Sequence, residues 1–176
     1  MKIPFDLVVT RKIHIPWNQE AGFGAVSWDG AILLNEPLVA ALGLTKEQIA
    51  HCVSEEKKTI RRRLRIFRQE KPFPNLQYHT VIIVDDGVAS GFSMLTTIET
   101  IKKKEKDVKE LVVAVPTAPL SAINRIKPHV DKIVCLNIRT SPFFAVASAY
   151  KLWFDLEEDD VIKLLKQSGF LENERE

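Results

Sequence analysis

Cysteine is scarce in this chain: two among 176 residues, Cys52 and Cys135, far apart and in apolar or helical surroundings. That spacing excludes a disulfide framework and the paired-ligand pattern of a structural metal site, and it suits buried thiols in a reducing compartment. Net charge is equally spare. Twenty-five basic residues against 23 acidic leave +2, which gives no global pull towards nucleic acid or an anionic membrane, so any anion site must be local. Long apolar runs are missing too. The amino-terminal MKIPFDLVVTRK is too short in its apolar part for a signal peptide, and no later run approaches membrane-spanning length. The chain reads as a cytoplasmic protein. It has no internal repeat and no low-complexity segment, and 45% hydrophobic residues over this length suit one domain, residues 1–176, with a two- or three-layer core.

One stretch stands out, VIIVDDGVASGFSM at residues 81–94. Four β-branched apolar residues run into Asp85 and Asp86, then into a turn of small residues, then into a helical pattern beginning near Phe92. It reads as strand, acidic tip, anion-sized loop and helix.

On either side the pattern alternates. Phe5 to Thr10 reads as a buried strand ending in Arg11 and Lys12. Gly22 to Trp28 and Ala31 to Leu34 flank Asp29-Gly30, a dipeptide suited to a two-residue hairpin with positive φ at both central positions. Thr45 to Gln48 has capping-box spacing, which predicts a long helix to about Phe67. Its second half carries Arg61, Arg62, Arg63, Arg65 and Arg68, a run whose ordinary reading is a solvated face at the negative end of the helix dipole. Lys71 to Asn75 (KPFPN) breaks regular structure. Leu111 to Val115 reads as a strand halted by Pro116, Pro119 to Lys127 as a short helix, Lys132 to Leu136 as a strand, and Glu157 to Gln167 as an amphipathic helix closed by Gly169. Continuous apolar strands alternating with helices indicate an α/β fold, doubly wound, with a mainly parallel sheet covered on both faces. The aromatic cluster Phe143, Phe144, Trp153 and Phe154 reads as core.

In such a sheet ligands bind outside the carboxyl ends of the strands, where the amides of the next helix are unpaired. The turn Val88, Ala89, Ser90, Gly91, Phe92, Ser93 sits there, and its small residues let backbone N–H groups curl round a phosphate. Asp85 and Asp86 are acceptors for two vicinal hydroxyls or for a hydrated Mg²⁺. Diol and phosphate together describe a ribose 5-phosphate. Two aspartates at a strand end also occur in phosphoacceptor domains and as helix caps, and those readings stay open on the residues alone.

VIIVDDGVASGFS resembles the motif by which type I phosphoribosyltransferases bind phosphoribosyl pyrophosphate (PRPP): four apolar residues, two acids, two variable residues, then small-[ST]-G-x-[ST]. VVTRKIHIPWNQEAGFGAVSWDG, VVAVPTAP and VCLNIRTSPFFAVASAYKLWFDL look like parts of an uncharacterised subgroup of that family, so the resemblance covers nearly the whole chain. It implies a Mg²⁺-dependent transferase that moves ribose 5-phosphate from PRPP to a nitrogenous, nucleobase-like acceptor in nucleotide metabolism, with release of pyrophosphate. Asp85 and Asp86 would hold the ribose hydroxyls and, through water, the metal. Residues 88–93 would cradle the 5-phosphate, and Arg11 and Lys12 would neutralise pyrophosphate.

Against the family pattern, Ala89 stands where some members carry an aspartate proposed as a base. The expected first strand and its pyrophosphate loop are not found ahead of Phe5, which implies a shortened fold with a hairpin and flexible-loop insertion at about residues 13–79. A bare sheet edge points to a homo-oligomer, a dimer. The rival expectations are a PRPP- or nucleotide-binding regulatory module without turnover and, more remotely, nucleic-acid binding through Arg61 to Arg68. No nucleic acid and no membrane are expected as partners.

Overall fold

The computed structural model describes residues 3–141 and 143–172. In chain order its elements are β1 Arg11–Ile15, β2 Asn18–Val26, β3 Ile32–Leu34, α1 Glu36–Leu42, α2 Lys46–Arg68, β4 Thr80–Val84, α3 Phe92–Lys104, β5 Glu110–Pro119, α4 Leu120–Ile126, β6 Lys132–Arg139 and α5 Glu158–Gln167. Short 3-10 turns follow α4 at Lys127–His129 and precede α5 at Val146–Ala149.

Two three-stranded sheets result. β4, β5 and β6 are parallel with β5 in the middle, and β1, β2 and β3 form an antiparallel meander. The α/β class and the parallel sheet are those the alternation of apolar strands and helices indicates. Ile83 on β4, Val113 and Val115 on β5 pack with Met94, Ile98 and Ile101 of α3 and with Ile123 and Ile126 of α4 in one cluster. Both crossover helices therefore lie on the same face of the sheet. The sequence leads one to expect cover on the opposite face as well. Among the described residues that face is open: Ile82 and Val84 on β4 and Val134, Leu136 and Ile138 on β6 are exposed, Val84 to 72% and Leu136 to 83%.

α3 stands between the two sheets and meets them with different chemistry. Its aliphatic stripe faces β4–β6, while Thr96, Thr97 and Thr100 are buried. Thr100 Oγ1 donates to Ser27 Oγ at 2.8 Å, and Thr97 Oγ1 lies 2.8 Å from Thr10 Oγ1. Ser27 and Thr10 flank the antiparallel sheet, so α3 is the element to which that sheet is registered. On its other side β1 packs against α2, with Ile13, Phe23, Val53 and Ile60 in one cluster.

The helix start at Thr45 follows its sequence. Gln48 N–H donates to Thr45 Oγ1 at 3.2 Å, and Thr45 N–H donates to Gln48 Oε1 at 2.9 Å, so two otherwise orphaned amides are satisfied. Elsewhere the structure corrects the expectation. Phe5 to Thr10 is not a strand: it has no ladder partner among the described residues and is held by side chains instead. Phe5 packs on Phe170 at 5.2 Å, and Asp6 binds Arg68 at 2.6 Å. The strand begins at Arg11, where β2 supplies partners from Val26 backwards. The hairpin tip is longer than two residues, with Ser27 N–H donating to Ala31 O, and only Gly30 takes positive φ (88°).

β5 runs on through Pro116 to Pro119. Its ladder to β6 passes from Val115↔Cys135 to Thr117↔Asn137, and β4 has already ended opposite Ala114. The proline therefore removes one rung and not the strand. α1 goes unread in the sequence; Pro37 lies in its first turn and Gly43 closes it at φ 64°. Cys52 and Cys135 are free thiols, half-buried.

Candidate functional site

β4 delivers Asp85 and Asp86 to the carboxyl end of the parallel sheet, and Gly87 turns the chain inward. Val88 N–H donates to Thr117 O at 3.0 Å, which ties the turn to β5. Gly87 is buried where nothing larger fits: a Cβ there would lie 2.6 Å from Val146 Cγ1 and 3.0 Å from Thr117 Cγ2. The turn then passes through exposed Ala89 and Ser90 to Gly91, the residue before α3, at φ 85°. No hydrogen bond is made by the N–H groups of Ala89 to Ser93 within the described residues, and α3 has no side-chain cap at its start. Unpaired amides, two hydroxyls and the positive end of a 13-residue helix converge on one loop.

The acidic tip is electrostatically tense. Water is withdrawn from the Asp85 carboxyl and Asp86 lies beside it; together these push its pKa up to about 6 although its side chain keeps some solvent contact. Asp86 is also raised, first by burial and then by the charge of Asp155. Two features of the carboxy-terminal segment thus enter the site, since Tyr150 Oη also donates to Asp86 O at 2.5 Å. Sequence reasoning missed Val146, Tyr150 and Asp155. The aromatic cluster around them reads as core, but Phe143 is 90% exposed and Trp153 and Phe154 are exposed too, with Tyr150 and Trp153 edge to face at 5.2 Å. Their signal in the sequence was their density beyond the last strand, at the sheet edge where ligands bind.

Three carboxylates with no cation among their described partners suit a hydrated divalent ion. Among the described residues no group of three or more His, Cys, Asp or Glu side chains has metal-holding geometry.

Arg11 and Lys12 have intramolecular partners. Arg11 Nε donates to Glu56 Oε2 at 2.8 Å, and Glu56 also meets His14 Nδ1 at 2.7 Å. Lys12 lies across Gly22, and its Nζ donates to Glu20 O at 2.6 Å. No hydrogen bond or ion pair joins either cation to Asp85, Asp86 or the loop in the described residues. What brings this strand to the site is Thr10, on Thr97 one turn past Ser93. The arginine run of α2 is only partly a solvated face. Arg62 binds Glu158 at 2.6 Å, and Arg68 is buried on Asp6 with its guanidinium 3.5 Å over the Phe73 ring.

These features define an α/β domain with a strand–loop–helix of unpaired amides and an acid pair at the carboxyl edge of a parallel sheet, among the described residues. The family model described as the phosphoribosyl transferase domain matches residues 30–151, and the chain belongs to that family. It is 28% identical over 168 residues to the "Putative phosphoribosyl transferase Rv0571c" of Mycobacterium tuberculosis H37Rv, and equally to its counterpart MT0597 in strain CDC 1551 / Oshkosh. The match takes in 96% of this chain and 37% of each relative, so the chain spans little more than a third of their length. The crystal structure of TT1426 from Thermus thermophilus superposes with a TM-score of 0.66 at 28% identity, over 92% of this chain and 75% of that one. No helix among the described residues is long and apolar enough to cross a membrane.

Proposed function

We propose that the chain is a Mg²⁺-dependent phosphoribosyltransferase that moves ribose 5-phosphate from PRPP to a nitrogenous base. The observation that carries this reading is the acid pair Asp85-Asp86 leading directly into a loop whose amides at Ala89 to Ser93 have no partner among the described residues. In the reaction the C1–O bond of the ribose breaks, pyrophosphate leaves with the bonding pair, and a ring nitrogen of the base forms the new bond to C1 and loses its proton. The positive charge that develops on the ribose calls for carboxylates near its hydroxyls, and the leaving group calls for cations.

Asp85 and Asp86 orient the 2′- and 3′-hydroxyls by accepting from them. Ser90, Ser93 and the loop amides hold the 5-phosphate, so that C1 is presented in one pose. When bound through water to the acid pair, Mg²⁺ supplies charge neutralisation for the pyrophosphate. Arg11, whose Nη groups are not used by Glu56, and Lys12 are the residues proposed to meet the same anion. Trp153, edge to face with the Tyr150 that bonds Asp86 O, offers flat apolar surface near the tip, and Phe143 and Phe154 are exposed on the same carboxy-terminal segment. The test is a transfer assay with PRPP and Mg²⁺ over purines, pyrimidines and nicotinate. Nucleotide formed by the wild type and lost in an Asp85→Asn, Asp86→Asn double variant supports the reading; no product with any base rejects it.

A second reading, a PRPP-binding regulatory module, is favoured by the intramolecular partners of Arg11 and Lys12 and by Ala89, which offers no base. It requires calorimetric binding of PRPP without turnover, and any transfer excludes it.

A further inference from the structure

The wall behind the loop is made by α4. Gly91 lies against it: a Cβ there would be in ordinary van der Waals contact with Ala122 Cβ at 3.4 Å and Ile126 Cδ1 at 3.6 Å. From the same helix the half-buried Arg125 reaches over the loop. Its Nη1 donates to Ser90 O, and its guanidinium sits 4.7 Å over the ring of Phe92. One side chain thus grips both flanks of Gly91, and it comes from an element about 30 residues away that sequence motifs do not connect with the loop.

The backbone geometry gives that grip a consequence. The Ser90–Gly91 peptide is trans, so the Ser90 carbonyl and the Gly91 N–H point in opposite directions. Arg125 draws the carbonyl towards itself, and the Gly91 N–H is thereby aimed away from α4, which fills that side. A carbonyl left free could turn by rotation of the flanking dihedrals, since Gly91 tolerates most of φ,ψ space. Its oxygen would then face an arriving phosphate, where a negative dipole end repels an anion. The cation–π contact with Phe92 fixes the guanidinium that does the holding.

We propose that Arg125 is a positioning residue for this loop: it locks the Ser90 carbonyl outward and so keeps the Gly91 amide aimed at the phosphate monoester of a sugar phosphate. The inference rests on the reading of residues 88–93 as a 5-phosphate site. It is tested by calorimetry on the full chain with ribose 5-phosphate and, separately, with pyrophosphate plus Mg²⁺, together with ¹⁵N relaxation of the loop amides, in wild type, Arg125→Ala and Arg125→Lys.

The expected result for Arg125→Ala is about tenfold weaker ribose 5-phosphate binding, pyrophosphate affinity within about twofold, and loop order parameters falling from about 0.85 to below about 0.6. Arg125→Lys recovers part of both, because lysine keeps a donor but not the planar fork that spans carbonyl and ring. Unchanged sugar-phosphate binding overturns the proposal. So does weaker binding with an unchanged loop, which would mark direct charge attraction, and so does equal loss of pyrophosphate. If the wild type binds no ribose 5-phosphate, it is the 5-phosphate reading that fails; the relaxation data then decide the lock alone, a loosened loop upholding it and an unchanged loop overturning it.

Discussion

Arg11 Nε donates to Glu56 Oε2 at 2.8 Å across 45 residues of sequence, and the second oxygen of the same carboxylate meets His14 Nδ1 at 2.7 Å. A carboxylate only accepts, so the His14 Nδ1 carries the hydrogen, and Glu56, itself buried, aligns two residues of β1 from the middle of α2. Its removal leaves half-buried donors from Arg11 and His14 without their shared acceptor. Glu56→Ala is expected to lower stability by about 1–3 kcal/mol, and Glu56→Gln by less, since the amide oxygen still accepts one bond. Urea denaturation measures this; an unchanged midpoint for Glu56→Ala would show that the cluster is not holding β1 on α2.

The acidic tip costs stability. The folded-state pKa of Asp85, about 6, lies above its ordinary 3.8, so the folded chain disfavours the charged form. The cost is absent below pH 3.8, grows as pH rises towards 6, and is fully present above it. Asp85→Asn is therefore expected to raise Tm at pH 8 by about 2–4 °C, for desolvation and then repulsion by Asp86 together worth about 1 kcal/mol at a partly solvated group, with a smaller gain at about pH 5. Calorimetric melts of the metal-free protein at the two pH values check it. A gain that is larger under the acidic condition would reverse the sign of the argument.

Gly87 is the seat of the carboxy-terminal segment. Gly87→Ala places a methyl group against Val146 and Thr117, and overpacking of this kind is expected to cost about 1–3 kcal/mol. Val146→Ala clears the nearer of the two contacts. The double variant is expected to be more stable than the sum of the single effects by at least about 0.5 kcal/mol, and a double-mutant cycle that comes out additive would contradict the contact.

The two faces of the parallel sheet answer differently to substitution. Val113, 1% exposed, points at α3 and α4, whereas Leu136 on the neighbouring strand points away from both helices. Val113→Ala is expected to destabilise by about 1–3 kcal/mol, and Leu136→Lys to change stability by no more than about 0.5 kcal/mol. Equal losses at the two positions would mean that the open face is covered in solution.

Local chemistry made much of this legible. The Thr45 capping box, the Asp85-Asp86 tip and the start of α3 depend on residues within a few positions of one another, and the structure places all three where the sequence puts them. What escaped depends on distant partners. Phe5 to Thr10 has strand composition but no neighbour to pair with, and Pro116 has breaker chemistry but sits where one lost rung is tolerated. Arg125 carries no mark of the loop it touches, because a carbonyl oxygen and an aromatic face are offered by any stretch of chain. The exposure of Phe143 and Phe154 follows from where the last strand ends, which periodicity does not reveal.

The threonine stripe of α3 also orders events in time. The unit from β4 to β6 closes through neighbouring segments, but the antiparallel sheet is registered on α3 by contacts spanning 87 residues at Thr10–Thr97 and 73 at Ser27–Thr100. Contacts of such separation require loop-closure entropy before they return any stabilisation, so they are expected to form after the local ones. The unit that carries residues 88–93 is therefore expected to form before the one that carries Arg11 and Lys12.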